Sequence, residues 1–295
     1  MKGSLVATLG VAIVGVGGWA CGENISWFSD PGRVNLTSHG TAMGTDFDFE
    51  LGVFSAGFEP TAFNRGSWLN HWTAAQSTSY SAVDSRFVAL HSVAGNLPPF
   101  VVGAEAWIFG RRDGPTGTEW ILFRHPSWTW PAPNPLSPFP LEWNASAATI
   151  VMAGDLDADG MPHLMKSEEV QDFSQWRVLA LSGEPLNGSD DDPDRDGVEN
   201  VIEFLAGTDP QNANSLPGAQ PSIIGNGGGF LQVDYSLRLD RLAAWTVEVG
   251  SDLVGWESGD DEVEVTAGGA GVLARDLTPR SGASRRFMRL RVLLP

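Results

Sequence analysis

Apolar and polar residues alternate along several short stretches of the chain. In Asp46-Phe47-Asp48-Phe49-Glu50-Leu51-Gly52-Val53-Phe54 the apolar side chains fall on every second position, the period of a strand with one buried face. That pattern sends Phe47, Phe49, Leu51 and Val53 into a core and leaves Asp46, Asp48 and Glu50 toward water. Ala106-Trp107-Ile108-Phe109 and Trp120-Ile121-Leu122-Phe123 are unbroken apolar runs on either side of the turn-rich residues 110–117, which predicts a long-looped hairpin. Toward the C-terminus Leu231, Val233, Tyr235, Leu237 and Leu239 alternate with Gln232, Asp234, Ser236 and Arg238. Further strands are expected at 245–249, 262–265, 271–275 and 286–292, the last with Met288, Leu290 and Val292 inward.

Between these strands the chain changes character. Residues 127–141 are rich in proline, which fixes φ and removes donors, so they read as an extended surface connection carrying Trp128 and Trp130. Ser167 to Trp176 is expected to form a short helix with Ser167 as its cap. Residues 181–191 collect Gly, Pro, Asn and Ser before a run of aspartates, and 211–229 form a second linker-like stretch. Near the C-terminus, Val247-Glu-Val-Gly-Ser-Asp-Leu-Val-Gly-Trp256 resembles a recurrent segment of immunoglobulin-like domains in secreted bacterial proteins. The resemblance implies a small antiparallel sandwich over the last part of the chain.

Composition narrows the setting. The length of 295 residues suits two modest domains at roughly 100–200 residues each, and 42% hydrophobic residues with 12 Trp and 15 Phe exclude a disordered chain. A formal net charge of −18 repels phosphate backbones and anionic lipid, which argues against nucleic acid as a partner and favours divalent cations. Lys2, the apolar run Leu5 to Val16 and the small residues Gly17, Gly18 and Ala20 have the three parts of a secretory signal. The run is short of the ~20 residues that span a bilayer, and no later segment reaches that length. A secreted or cell-surface protein without a transmembrane segment in its mature chain is therefore expected. Cys21, the single cysteine, leaves no disulfide to form within the chain. Following Ala20, it is a candidate for a lipid anchor, although Gly18 and Trp19 depart from the bacterial lipoprotein pattern; the other reading is cleavage near Ala20 or Gly22.

One segment carries chemistry. From Asp192 to Glu203 the chain meets D-x-D-x-D-G-x5-E, in which a hard cation takes oxygens from positions 1, 3 and 5, a carbonyl at 7, a side chain or water at 9 and a bidentate Glu at 12. Those places hold Asp192, Asp194, Asp196, Val198, Asn200 and Glu203, with Gly197 where the loop turns sharply. Val198, Val201, Ile202 and Leu205 then fall on one helical stripe, and Gly207 is placed to end the helix. Pro185, Asn187 and Gly188 deny the loop the usual preceding helix. The stretch Asp192 to Pro210 resembles thrombospondin type 3 repeats and dockerin-like loops, which implies bound calcium, a rigid spacer role and an extracellular setting. Calcium is thus the expected cofactor, at an affinity on the order of 10⁻⁴–10⁻³ M. Asp155-Leu-Asp157-Ala-Asp159-Gly160 repeats the first half of the pattern, but position 12 falls on Lys166 and position 8 on Pro162, so a polar turn is favoured there.

Other constellations are weaker. No G-x-S-x-G, H-E-x-x-H, G-x-x-x-x-G-K or dinucleotide fingerprint is present, and His39, His71, His91, His125 and His163 lack metal-ligand spacing. Arg285, Arg286, Arg289 and Arg291 form a basic patch that either discourages edge pairing or pairs with Asp260, Asp261 and Glu262. The sequence therefore predicts a mainly β protein: two β-sandwich-like domains (23–182 and 217–295) joined by a calcium-binding loop-helix spacer (183–216), after a signal peptide (1–22). Its expected role is a non-enzymatic, calcium-binding extracellular module whose partners are polysaccharide or cell-surface components. The alternative is a secreted hydrolase acting on polysaccharide from the first β-rich domain.

Overall fold

The computed structural model describes residues 23–113, 118–134, 136–157, 163–224, 229–268, 271–279 and 285–294. The expected signal segment, with Cys21, lies outside them, as does Asp159. The architecture is mainly β. The N-terminal part contains β1 (Asn24–Phe28), β2 (Asn35–Leu36), β3 (Asp48–Phe54), β4 (Trp72–Ser79), β5 (Val88–Ser92) and β6 (Ala106–Asp113). It continues with β7 (Thr118–Arg124), β8 (Leu141–Asn144), β9 (Ile150–Ala153), β10 (Asp155–Leu156), β11 (Met165–Lys166) and β12 (Glu168–Val170). A six-stranded sheet runs β12-β7-β6-β3-β4 with β9 also on β7, and a three-stranded sheet runs β5-β1-β8. The expected hairpin is β6–β7, paired from Ile108 opposite Phe123 to Asp113 opposite Thr118.

The six-stranded sheet explains the unbroken apolar runs. One face, with Phe49, Leu51, Ile108, Ile121 and Phe123, shares a core with Ile25, Trp27 and Trp143 of the smaller sheet. Its other face, with Trp107, Phe109, Trp120, Leu122 and Val170, packs against Trp68 and Leu242. A strand covered on both sides has no wet face to mark with alternation. Phe47, Phe49, Leu51 and Val53 are fully buried as the period demands, and the outward side of β3 is polar only as far as Glu50.

Two local expectations are corrected. Trp128 and Trp130 are buried rather than displayed on a surface connection. Pro126 and Pro131 flank them, leaving the stretch between free to join a backbone ladder: Trp130 N donates to Ala104 O at 2.8 Å, and Trp128 O accepts from Ala106 N at 3.0 Å. Trp128 stacks on Trp143, and Trp130 packs on Phe100. Ser167 caps no helix; its hydroxyl donates to buried Glu119, and β12 follows. The helix comes later, because Asp172 and Gln175 form a reciprocal capping box.

The helices are α1 (Trp68–His71), α2 (Phe173–Ala180) and α3 (Asn200–Ala206). Beyond them lie β13 (Ala219–Ile224), β14 (Phe230–Tyr235), β15 (Ala244–Gly250), β16 (Val263–Gly268), β17 (Gly271–Asp276) and β18 (Phe287–Leu293). They form a sheet β13-β14-β17-β16 and a pair β15-β18, which enclose Val247, Val249, Val263 and Ala274. Met288 and Leu290 pack into this core as expected. The arginine patch pairs internally, but with other partners: Arg286 donates to buried Asp276 at 2.6 Å, and Arg289 to Glu248 at 2.6 Å.

The parts before and after residues 183–216 touch directly, so that segment does not hold them apart. Buried Arg65, in a 3-10 turn at Ala62–Ser67, donates to Glu168 at 2.8 Å, to Met152 O at 3.2 Å and to Leu239 O at 3.1 Å. Beside it, a Cβ on Gly66 would meet the Ala243 carbonyl carbon at 2.5 Å, so only glycine admits this approach. Gly66→Ala is therefore expected to lower stability by about 1–3 kcal/mol, as overpacking does. Urea denaturation reads this; a change under about 0.5 kcal/mol, the usual surface value, would show that the contact is not kept in solution.

Candidate metal centre

The segment from Asp192 to Glu203 is organised by its own backbone. Arg195 N donates to Asp192 Oδ1 at 2.7 Å and Gly197 N to Asp192 Oδ2 at 2.9 Å. Asp196 N donates to Asp194 Oδ1 at 3.2 Å, and Val198 N to Asp196 Oδ1 at 2.8 Å. Aspartates bond readily to N–H groups two or three residues on, which is why this spacing curls the chain around its own carboxylates. Gly197 sits at φ +92°, where a side chain would be strained. The result brings carboxylate oxygens of Asp192, Asp194 and Asp196 within 4.8 Å of one another. It is the one such group of three or more His, Cys, Asp or Glu among the described residues.

Helix α3 carries two more of the assigned residues, Asn200 and Glu203, and Glu203 stands outside the group of three carboxylates that lie within 4.8 Å of one another. Asn200 and Glu203 are both fully buried. The Asn200 amide donates to Gly188 O at 2.8 Å and Leu186 O at 3.3 Å, tying the helix start to the segment before the loop. Glu203 Oε1 accepts from Thr208 Oγ1 at 3.1 Å. That hydroxyl reaches back because Gly207 caps α3 in the left-handed conformation and reverses the chain. The motif reading missed Thr208, since only the reversal brings it to Glu203.

The apolar side of α3 differs from the expected stripe. Val201, Phe204 and Leu205 are buried, whereas Val198 and Ile202 are half-buried. Phe204 contacts Phe173 and Trp176 of α2, and Leu205 lies in the same cluster with Leu237 and Val272. The helix begins at Asn200, later than a stripe starting at Val198 assumes, which rotates Phe204 into the core.

Four oxygens here are buried with no hydrogen-bond donor: Asp194 Oδ2, Asp196 Oδ2, Asn200 Oδ1 and Glu203 Oε2. Each belongs to a residue that the sequence assigned as a ligand. Burying such acceptors without a partner costs roughly 1–3 kcal/mol each, more when charged. The electrostatics agree. The Glu203 carboxyl is pushed up to about 7, chiefly by burial and also by the charges of Asp194, Asp196 and Asp209, against the lowering effect of the Thr208 hydroxyl. Asp194 is also raised, first by desolvation and then by Asp196 and Asp192. The donor set is oxygen throughout, which suits a hard divalent cation.

The acidic residues of the Asp155 half-pattern and of the outward side of β3 have other partners. Asp155 lies 3.0 Å from His163 Nε2 at the end of β10, and Asp157 N donates to Leu164 O. Asp48 accepts from Ser79 at 2.6 Å. Glu50 pairs with Arg111 at 3.0 Å and accepts from Trp72 Nε1, and Asp46 faces Arg112 at 3.4 Å.

The Glu203 shift sets a sign for pH dependence. The unfolded carboxyl titrates near 4.3 and the folded one at about 7, so in between the folded state holds the extra proton. Its contribution is fully present below about pH 4 and is lost as pH rises through about 7. In chelator, the stability of the parent relative to Glu203→Gln should therefore fall between about pH 5 and pH 8. Paired thermal melts measure this; a constant or rising difference would contradict the burial of an ionising Glu203.

Comparison with protein-family models, with curated proteins and with solved structures finds no match for this chain.

Proposed function

We propose that Asp192, Asp194, Asp196, the Val198 carbonyl, Asn200 and Glu203 bind one calcium ion, and that the ion consolidates the junction between the N-terminal and C-terminal sheets. The observation that carries this reading is the set of four buried, donor-free oxygens on residues spaced as the calcium-loop pattern requires. A lone carboxylate in an apolar setting is costly; a divalent cation reverses the sign of that cost. Calcium is favoured over magnesium because the loop supplies many protein oxygens, whereas magnesium keeps most of its waters. The proposed setting is extracellular, where a site of millimolar affinity fills, in keeping with the signal-like residues 1–22 and the resemblance to thrombospondin type 3 and dockerin-like loops.

The consequence of binding lies on the far side of the same helix. Phe204 and Leu205 of α3 pack on α2 and on the C-terminal sheets, and Arg238 N donates to Leu205 O at 2.7 Å. An ion that fixes Glu203 fixes this helix, and with it the meeting of Phe173, Trp176, Leu237 and Val272. This is a structural role, stiffening a contact rather than switching an activity. Buried Trp128 and Trp130 contribute no platform for sugar rings, so polysaccharide recognition is not part of the proposal.

Calcium at about a hundredfold excess over Kd should stabilise the protein by ~2.7 kcal/mol, a rise of several degrees in Tm. Glu203→Gln should remove that rise while leaving the calcium-free protein as stable as the parent or more so, because the desolvated charge is gone. Asp194→Asn and Asp196→Asn should likewise lose the calcium response. Titration calorimetry at millimolar calcium tests binding directly; no heat, together with an unmoved Tm, would overturn the proposal.

A further inference from the structure

The six-stranded sheet and the sheet β5-β1-β8 meet along a seam between β4 and β5. Side chains of β4 close part of it: Gln76 Nε2 donates to Leu90 O at 3.1 Å, and Thr78 Oγ1 to Val88 O at 3.3 Å. Beyond Gln76 the closure stops. Leu51 pairs with Gln76 and Gly52 with Ala74, so Ala75 is an extra residue in β4, and such a bulge bends its strand. Neither Ala74 nor Ala75 has a side chain long enough to reach across. A recess of about 420 Å³ opens here, lined by both alanines, by His91 of β5 and by Leu97, Phe100 and Trp130.

Two side chains in this lining carry polar groups with no hydrogen-bond partner. Trp130 is 2% exposed, and its Nε1 finds no acceptor. A donor buried in this way costs roughly 1–3 kcal/mol, and a bound acceptor would remove that cost. The His91 imidazole lies beside it, with ring centroids 5.3 Å apart, and makes no hydrogen bond among the described residues. Burial pulls His91 below its ordinary value, which keeps the ring neutral at neutral pH. Ser92, also in the lining, is already engaged, donating to Asn24 Oδ1 at 2.6 Å. The rest is apolar: Phe100 packs on Trp130 at 4.7 Å between ring centroids, and no charged side chain lines the recess.

We propose that this recess binds a small, uncharged ring compound whose carbonyl or hydroxyl oxygen takes the hydrogen bond that Trp130 Nε1 lacks. The chemistry follows from the lining. Alanine, leucine and phenylalanine carbons suit an apolar ring, and ligand sites commonly combine an apolar wall with a few placed polar groups. A carboxylate or an ammonium would enter without a counter-charge, which desolvation penalises. A sugar ring carries more hydroxyls than the recess has partners for, and Trp130 offers it no open face. Leu97, 79% exposed, stands at the rim and marks the entrance. The site draws on no residue of 183–216, so it stands or falls separately from the calcium loop.

The test uses the full chain, isotopically labelled and read by NMR through its indole N–H resonances, with acetophenone, ethylbenzene and benzoate as probes. The three share a ring and differ in what they bring to Trp130: an acceptor oxygen, no acceptor, or a charge. Acetophenone should give a saturable shift of one indole resonance, and benzoate none. Ethylbenzene should bind about five- to tenfold more weakly, the equivalent of one hydrogen bond. Trp130→Phe should remove the shifting resonance. Ala74→Leu, at an exposed position, should fill the recess and abolish the shift while the other indole resonances stay as in the parent. Absence of any shift up to the solubility of acetophenone would overturn the proposal. So would equal affinity for ethylbenzene, a shifting resonance that persists in Trp130→Phe, or a shift that survives Ala74→Leu.

Discussion

Helix α3 has to satisfy two environments at once, and the N-terminal and C-terminal parts of the molecule meet around the result. On one side Phe204 and Leu205 sit in an apolar cluster with Phe173, Trp176, Leu237 and Val272. On the other, Glu203 is buried against Asp194 and Asp196 with one oxygen lacking a donor. The helix has seven residues, too few to be stable through its own hydrogen bonds, so tertiary packing must hold it. The packing that holds it is also what desolvates the carboxylate. Burial of Glu203 and cohesion of the junction are therefore one constraint, and the proposed divalent cation would satisfy both.

The rest of the junction is polar where the helix is not. Arg65 threads between the parts, bonding Glu168 and the carbonyls of Met152 and Leu239. The planar fork of arginine matches several acceptors at once through Nη1 and Nη2, which offsets the cost of burying the charge although Nε finds no partner. Gly66 lets the backbone of that turn come against Ala243, and Leu242 contributes to the core beneath Trp68 and Trp120. These contacts join residues far apart in sequence. No local pattern announces them, which is why segment 183–216 read as a spacer from its composition.

The same distinction accounts for the tryptophans. Trp128 and Trp130 lie among prolines, and proline is a reliable sign of irregular backbone. Irregular backbone is usually at the surface, but here two prolines bracket a short stretch that keeps its N–H groups and adds to the ladder beside residues 104–106. Whether a loop is covered depends on what packs over it, in this case Trp143, Phe100 and Phe123. Likewise the helix placed at Ser167 begins at Asp172, since Glu168–Val170 find an edge position on β7 that only the assembled sheet provides.

By itself the sequence determined the features governed by local geometry. The period of two set β3 and its buried Phe47, Phe49, Leu51 and Val53; the apolar runs set the β6–β7 hairpin; the later alternation set β14, β15, β17 and β18. The candidate ligands were legible because aspartates spaced by one residue bond the backbone within the loop, so their convergence needs no distant partner. Tertiary structure alone decided that the six-stranded sheet is covered on both faces, that Phe204 rather than Ile202 points inward, and that Thr208 returns to Glu203. It also decided how strongly the Glu203 carboxyl is desolvated. Burial and long-range pairing depend on which surfaces meet, and a chain read one residue at a time carries the candidates for those meetings but not the choice among them.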